Sequence, residues 1–501
     1  MKRVLFLLKF SLFFAVKGYS MSTPLKLYFG EDSKAPYHIH AGGIVLSTFN
    51  SAVRGQLIKV DDKLNLKPSH LKDFKFDYKS NTYTLQLRDN LYFHNGRKVT
   101  SQDLEFSLLR GFFSPDKSFF NTYLYQIEGL DKIKAGDKFY SGIVSGIKLI
   151  NETTISVLLS SPNPAFLHTL TVPYFSLVPK EELHDDYLTW KSIPVGAGQY
   201  RVKHPFDGEK TIIEKISDQS ASPKEVWFLA NLKNNRPDIS LERHSIDKKN
   251  LEAFSSSLPG NVRVLEFSRI NELSRDEDFK KALDSILYRE EFSNKELGIS
   301  PINQLLPSHF WGRIKQEASF AKSKKEILEK LPNKYKGKKL KAIVFSGPEL
   351  SEKNKFYVTK ITNLLNKYGL DIEFVPNDEK FISKTTAESA AISMFGMVCD
   401  YIDPLIMFSA YRKNSHANYY LPSDTLINEY EARYMKAANA KKFDERISLV
   451  SDLSSYVKNN SIIIPIAEEK TTFYFNREKI VDVGNQPHPI SLNIENIKLR
   501  E

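Results

Sequence analysis

The chain has a single cysteine, Cys399, which stands next to Asp400 in the hexapeptide CDYIDP. A cysteine nucleophile needs a thiol whose pKa is lowered by nearby positive charge, and a neighbouring carboxylate acts in the opposite direction. A lone cysteine also has no partner for an intrachain disulfide. The residue types around position 399 therefore argue against thiol chemistry.

Other catalytic and metal-binding patterns are missing from the sequence. It contains no G-x-S-x-G motif, no P-loop and no dinucleotide-binding fingerprint. The 11 histidines are dispersed, and no H-E-x-x-H or Cys/His cluster joins them. We therefore predict that the protein is not an enzyme and has no cofactor or metal. A hydrolase triad assembled only in three dimensions and a dispersed nickel or haem site stay open.

Length and charge narrow the class of protein further. At 501 residues the chain exceeds the ~250–300 at which one core stops growing, so we expect at least two lobes. A hydrophobic content of 41% and a charged content of 26% are typical of a soluble globular protein. The formal net charge of +11 is spread along the chain, whereas nucleic-acid binding requires a concentrated basic patch. We predict no nucleic-acid partner.

Residues 1–20 have the pattern of a secretory signal peptide. The basic pair Lys2-Arg3 precedes a mostly apolar run that contains Lys9, and the small residue Ser20 suits cleavage. A transmembrane anchor, the alternative, would need ~20 apolar residues. No cysteine near the cleavage point is available to carry a lipid. The mature chain is predicted to be soluble and periplasmic, with secretion into the medium as the alternative.

One stretch in the first quarter of the chain combines several structural signals. Alternation over residues 82–87 predicts a strand, and Tyr92-Phe93 begins a second short strand. Asn95-Gly96 is typical of a tight turn. Thr100, followed three residues later by Asp103, resembles a capping box and predicts the start of an amphipathic helix. These polar residues are predicted to be structural.

The second half alternates helices and strands. A strand over 339–346, a helix over 355–369 and a strand over 370–375 predict a βαβ unit in a parallel sheet. Residues 276–292 have helical spacing, and residues 425–460 predict two helices that meet at 439–442. Residues 461–475 predict a strand broken by Pro465.

Five motifs in this order resemble the extracellular solute-binding proteins of the oligopeptide/dipeptide/nickel class, which serve ATP-driven importers. They extend over residues 23–475 and are FHNGRKVTSQDLEFSLLR, PVGAGQYRV, DFKKALDSILYRE, CDYIDP and SIIIPI. Some positions depart from the family pattern. Lys280-Lys281 stand where an Arg is usual, Tyr288 replaces an Asp, and Met397 occupies a neighbourhood where many peptide receptors have a Trp.

The resemblance implies an α/β, two-lobed periplasmic-binding-protein fold with an extra inserted α+β subdomain. The first lobe would combine residues 21–44, 170–261 and 468–501, the inserted subdomain would be 45–169, and the second lobe would be 262–467. Solute would bind between the lobes, which close by a hinge. The chain would act as a monomer that delivers short peptides to an ABC permease in the inner membrane.

The same resemblance implies where the solute binds. Asp400 would pair with a peptide's N-terminal ammonium, because a buried charged terminus needs a charged partner. A turn-capping role for Asp400 and core packing for Met397 are the alternatives. The ligand-binding residues implied are Met397, Cys399, Asp400, Tyr401, Asn418 and Tyr419. A nickel chelate, haem or an oligosaccharide as solute, a sensor without transport, and a cryptic hydrolase remain alternatives.

Overall fold

The computed structural model describes most of the chain. The described residues are 23–30, 37, 43–61, 63–114, 126–217, 221–314, 335, 337, 339–345, 350–377, 383–398, 403–413, 419–420, 422–487 and 490–500. The predicted signal peptide lies outside them, as do four of the predicted ligand-binding residues: Cys399, Asp400, Tyr401 and Asn418.

The described strands form one large sheet, one four-stranded sheet and two smaller pairs. In chain order they are β1 (Leu25–Tyr28), β2 (Ile58–Val60), β3 (Leu66–Pro68), β4 (Leu71–Asp77), β5 (Thr82–Leu87), β6 (Ile147–Asn151), β7 (Thr154–Leu158), β8 (Tyr200–His204), β9 (Lys210–Lys215), β10 (Glu225–Leu229), β11 (Ile239–Ser240), β12 (Leu251–Phe267), β13 (Ile299–Pro301), β14 (Lys339–Phe345), β15 (Asp371–Asn377), β16 (Ile392–Val398), β17 (Ile463–Asn476), β18 (Ile480–Asp482) and β19 (Lys498–Leu499).

Helices alternate with these strands, which confirms the predicted α/β class. The described α-helices are α1 (Gly43–Val53), α2 (Ser101–Leu109), α3 (Phe166–Thr169), α4 (Glu277–Ile286), α5 (Glu352–Asn366), α6 (Lys384–Ser389), α7 (Leu405–Ser409), α8 (Ile427–Ala438) and α9 (Phe443–Asn459). Within the described residues, no helix has the length and apolar character that a bilayer span requires.

The large sheet has the strand order β15-β14-β16-β12-β17-β11-β1-β10-β9-β8, with β13 paired to β17. β14 runs parallel to β15, and α5 connects the two, which confirms the predicted βαβ unit. β12 and β17, 17 and 14 residues long, are antiparallel partners over most of their length. They connect the β11-β1-β10-β9-β8 half of the sheet to the β16-β14-β15 half.

Separate hydrophobic cores lie on these parts. One core gathers residues between Leu57 and Val195 around the sheet β4-β5-β7-β6 and helix α2. A second core, around β1 and α1, includes residues from Leu25 to Ile239 and from Phe473 to Ile497. Two more cores cover opposite faces of the sheet around β12 and β16, between residues 262 and 467. We call these four cores the subdomain core, the first-lobe core and the two second-lobe cores. The residue boundaries of the lobes and the subdomain stay a prediction from the sequence.

The stretch that follows β5 has the structure that its sequence predicts. Gly96 has a φ of +87°, and its amide donates to the Phe93 carbonyl, which closes the tight turn. At the start of α2, the Asp103 carboxylate accepts the Thr100 amide at 2.8 Å and completes a capping box. The second strand is reduced to one bridge, between Tyr92 and Lys98.

The glycine turn before β8 is positioned by close backbone contacts. A Cβ on Gly196 or Gly198 would overlap the carbonyl oxygens of Val53 and Ala52, at the end of α1. His70 and His94 fix the turn from the subdomain side, with Nε2 atoms 3.1 Å from the Ala197 carbonyl and 3.0 Å from the Gly198 carbonyl. This motif therefore joins the subdomain to the first lobe.

The late strand corrects one prediction. We expected Pro465 to break it, but β17 continues from Ile463 to Asn476. Pro465 pairs with Val264, and the next pair joins Ala467 to Arg263, so Ile466 is an extra residue in a bulge. A proline removes one ladder donor, and a bulge is one of the places where a sheet accommodates that loss.

Candidate functional site

The two strands that connect the lobes are irregular in the middle. Regular pairing extends from Leu251 to Ser255 on β12, is interrupted around Pro259, and resumes at Asn261. Across this gap the Ser256 hydroxyl donates to the Leu258 carbonyl at 2.6 Å and accepts the Thr471 amide at 3.1 Å. Side-chain hydrogen bonds thus replace part of the ladder at this point. We call this irregular middle of β12 and β17 the hinge, because it is the place where we expect the lobes to rotate.

A buried charge cluster adjoins the hinge on the second-lobe side. The Glu469 carboxylate accepts the Arg263 Nε at 3.0 Å and lies 3.5 Å from the Lys353 Nζ. Burial alone would raise the pKa of Glu469, but Arg263 and Lys353 hold it below its ordinary value. Lys353 also donates to the Lys470 carbonyl at 2.8 Å, so the start of α5 is attached to the hinge strand.

The strand that precedes Asp400 in the sequence ends beside this hinge. β16 runs antiparallel to β12 and ends at Val398, whose Cα is paired with that of Asn261. The side chain of Val398 is 50% exposed, although the strand before it is largely buried. Val398, the last described residue before Asp400, therefore lies at the junction of the two lobes.

Met397, the described residue of the predicted set nearest to this segment, is a core residue. It is 5% exposed and packs with Val262 and Val264 in a second-lobe core. Its Sδ lies 3.1 Å from the Tyr411 hydroxyl. This placement agrees with the packing alternative and leaves little of the side chain for a solute.

The second acid of the CDYIDP motif has a structural partner that sequence reasoning missed. Asp403 is 4% exposed and forms an ion pair of 2.5 Å with Arg446 on α9. Its other oxygen accepts the Leu405 amide at the start of α7. Arg446 also donates to the carbonyls of Ala437 and Ala438, at the end of α8. The sequence signal that could have indicated this role is an Asp placed directly before a Pro and an apolar run, a pattern typical of the start of a helix.

Tyr419 lies in a loop held against the end of β12. Its carbonyl accepts the Arg269 amide at 2.8 Å, and its side chain is partly buried. The neighbouring Tyr420 is 3% exposed and packs with Ile343 and Ala387. Tyr419 therefore keeps some surface available to a solute, whereas Tyr420 does not.

A buried polar group under this loop also escaped sequence reasoning. Glu266, on β12, is opposite Ser393 on β16, and it accepts the Tyr411 hydroxyl at 2.6 Å. Burial, opposed in part by that hydrogen bond, raises the pKa of Glu266 to about 7. Within the described residues, the hydroxyls of Ser393 and Tyr420 have no hydrogen-bond partner. Near neutral pH, this carboxyl can donate or accept a hydrogen bond.

The side chains that could ligate a metal are not grouped together in the described residues. Across the described stretches, no group of three or more His, Cys, Asp or Glu side chains is arranged to hold a metal ion. The described residues form separate hydrophobic cores on the two lobes, which β12 and β17 connect, and the half-exposed Val398 lies beside these strands. This architecture defines a two-lobed solute-binding protein.

Comparison with known proteins gives the family. Residues 65–419 match the family model of bacterial extracellular solute-binding proteins, family 5, and the chain belongs to this family. It is 23% identical over 437 residues to the dipeptide-binding protein DppE of Bacillus subtilis, covering 80% of this chain and 78% of that one. The family and these relatives are substrate-binding transport proteins, so the chain is not an enzyme.

Solved structures show the same fold. The substrate-binding protein CtaP of Listeria monocytogenes superimposes with a TM-score of 0.76 at 16% identity, over 96% of this chain and all of the other. The Escherichia coli murein tripeptide binding protein MppA superimposes with a TM-score of 0.73 at 17% identity, over 96% and 99%. The predicted two-lobed periplasmic-binding-protein fold is confirmed.

Proposed function

We propose that this protein captures short peptides between its two lobes, outside the cytoplasm, and delivers them to an ATP-driven membrane permease. The observation that supports the proposal is the pairing of Val398, two residues before Asp400, with Asn261 beside the hinge. The names of similar proteins, a dipeptide-binding protein and a murein tripeptide binding protein, support peptides as the solute class.

The proposed recognition uses the peptide's charged terminus and its backbone. Asp400 pairs with the N-terminal ammonium, which loses its hydration when the lobes close and needs a full countercharge. Tyr401, Cys399, Asn418 and the partly buried Tyr419 line the space around the peptide. The extended backbone forms strand-like hydrogen bonds, so the side chains of the peptide are read less strictly. The protein acts as a monomer.

Native mass spectrometry of the full-length protein, purified without added solute, tests the solute class. The expected result is the release of intact short peptides. Haem, a nickel chelate or an oligosaccharide in their place would overturn the peptide proposal and leave the family unchanged. Hydrolysis of a peptide library by the purified protein would contradict a purely binding role.

Titration calorimetry with two probes tests the ammonium contact. Acetylation replaces the charged N-terminal ammonium of trialanine by a neutral amide in N-acetyl-trialanine. Loss of one member of a buried charge pair costs about 2–5 kcal/mol, so the acetylated probe should bind at least about 30-fold more weakly. Equal affinities would show that Asp400 does not anchor the terminus.

A further inference from the structure

A second contact joins the lobes, in addition to β12 and β17. His168, on α3, lies with its ring centroid 6.3 Å from that of Phe443, the first residue of α9, and the two rings are nearly parallel at 14°. The Trp311 ring packs against Phe443 as well, at 4.9 Å. α3 contributes Phe166 to the subdomain core, whereas α9 belongs to a second-lobe core, so the contact bridges the two.

Apolar residues extend this contact into an interface. Ile406, on α7, packs against both the subdomain core and a second-lobe core. Val60 and Leu64, in the β2–β3 hairpin, also pack against that second-lobe core. The subdomain therefore contacts the second lobe directly, through a surface to which the connecting strands β12 and β17 do not contribute.

His168 faces a charged pair across this interface. The charged groups that act on it are Asp403 and Arg446, which form an ion pair with each other. On its own helix its Nδ1 lies 3.3 Å from the Ala165 carbonyl. Burial and the Arg446 charge together lower the pKa of His168, although Asp403 attracts the proton. A proton on this ring is therefore disfavoured while the contact is made.

We propose that His168, Phe443 and the Asp403–Arg446 pair form a clasp that holds the subdomain against the second lobe when the cleft is closed and releases it when His168 takes up a proton. The inference rests on the proposed capture of solute between closing lobes. Asp403 is three residues from Asp400 in the sequence, so release of the clasp would couple an acidic exterior to weaker solute binding.

Energy transfer between two fluorophores on the solute-free protein tests the clasp. In a Cys399→Ser background, the exposed Lys79→Cys and Lys436→Cys place one label on the subdomain and one on α8. The transfer efficiency should fall as the pH is lowered from 7.5 to 5, because protonation favours the separated state. An efficiency that does not change with pH would overturn the proposal.

Three variants test whether His168 and Phe443 cause the pH-dependent change in transfer efficiency. His168→Gln cannot take up the proton and should abolish the pH dependence, whereas His244→Gln, at an exposed position, should preserve it. Phe443→Leu removes the ring contact from the other side and should lower the efficiency already at pH 7.5. A His168→Gln variant that responds like the parent, or a Phe443→Leu variant that matches it at pH 7.5, contradicts the clasp.

Failure of the clasp and failure of peptide capture can be told apart. The fluorescence experiment contains no solute, so its outcome does not depend on what the protein binds. A chain that binds trialanine but shows no pH response would overturn the clasp alone. A chain with the pH response but no affinity for peptides would overturn the proposed solute.

Discussion

Arg263 on β12 and Glu469 on β17 are diagonal neighbours, with the Arg263 Nε 3.0 Å from the Glu469 carboxylate, just beyond the irregular middle of the two strands. Both residues are more than nine-tenths buried. Lys353 joins the same carboxylate from the start of α5. One acid thus pairs with two cations beside the hinge and fixes α5 to it.

Replacing Glu469 by Gln should destabilise the protein strongly. The substitution leaves Arg263 and Lys353 next to each other without a countercharge, and breaking a buried pair in this way costs about 3–5 kcal/mol. Urea denaturation at pH 7.5 measures the change in the free energy of unfolding. Glu429→Gln, which removes an exposed partner of Arg433, is the control and should cost at most about 1 kcal/mol. Equal losses in both variants would contradict the importance of the buried cluster.

Substitutions at the two acids of the CDYIDP motif should have different effects, one on stability and the other on solute binding. Asp403→Asn leaves the buried Arg446 uncompensated and should lower the free energy of unfolding by about 3 kcal/mol or more. Asp400→Asn should weaken trialanine binding at least about 30-fold and leave the free energy of unfolding nearly unchanged. Calorimetry and urea denaturation on both variants check this contrast, and a stability loss at Asp400 with intact affinity would assign it a structural role.

Elements whose signals are local were predictable from the sequence. The capping box at Thr100 and Asp103 needs only residues within one helical turn, and it is present. The two helices expected in 425–460 are α8 and α9, which end and begin on either side of 439–442. The order of five motifs was enough for the two-lobed fold, because each motif marks one element of it.

Contacts between distant parts of the chain were not predictable in the same way. The Asp403–Arg446 pair joins residues 43 positions apart, and the contact of His168 with Phe443 joins the subdomain to the second lobe. The Pro465 prediction failed because the bulge in β17 depends on the register with β12. The burial of Glu266 was not predicted, because nothing in its local sequence indicates that Tyr411, far along the chain, will cover it.

Gly198 should tolerate no side chain. A Cβ at this position would meet the Ala52 carbonyl and the Val53 backbone, and backbone atoms cannot move aside as the end of a side chain can. Gly198→Ala should therefore cost about 1–3 kcal/mol or more, as overpacking does. Gly43→Ala, at the open start of α1, is the matched control and should stay within about 0.5 kcal/mol. Thermal unfolding compares the two, and a harmless Gly198→Ala would contradict the close approach.

Glu266→Gln should stabilise the protein, and the gain should depend on pH. The folded-state pKa of about 7 lies above the ordinary value of 4.5, so the unfolded chain loses its proton first as the pH rises. Wild-type stability therefore falls between pH 4.5 and 7, and the variant, which cannot ionise, avoids this loss. The difference between a pKa of 4.5 in the unfolded chain and about 7 in the folded chain sets an upper limit of about 3 kcal/mol above pH 7.

Urea denaturation of both proteins at pH 4.5 and pH 8 measures this difference. Near pH 4.5 the two free energies of unfolding should coincide, because Gln can still accept the Tyr411 hydroxyl. A gain of equal size at both values of pH would attribute the effect to packing and contradict the raised pKa.

His70 should make the protein sensitive to acid. Burial lowers the pKa of His70 from 6.5 to about 4, while its Nε2 stays 3.1 Å from the Ala197 carbonyl in the glycine turn. Between these values the unfolded chain binds a proton that the folded chain does not. Stability is therefore retained above pH 6.5 and is lost as the pH falls toward 4, by up to about 3 kcal/mol.

The variant His70→Gln tests this contribution, because its side-chain amide can still donate to the Ala197 carbonyl but does not titrate. Urea denaturation from pH 7.5 to 4 should show a smaller decline in the free energy of unfolding for the variant than for the wild type. His244→Gln, where the side chain is 80% exposed, serves as the control and should follow the wild-type curve. If His70→Gln follows that curve as well, the acid sensitivity of the fold does not come from the contact between His70 and the glycine turn.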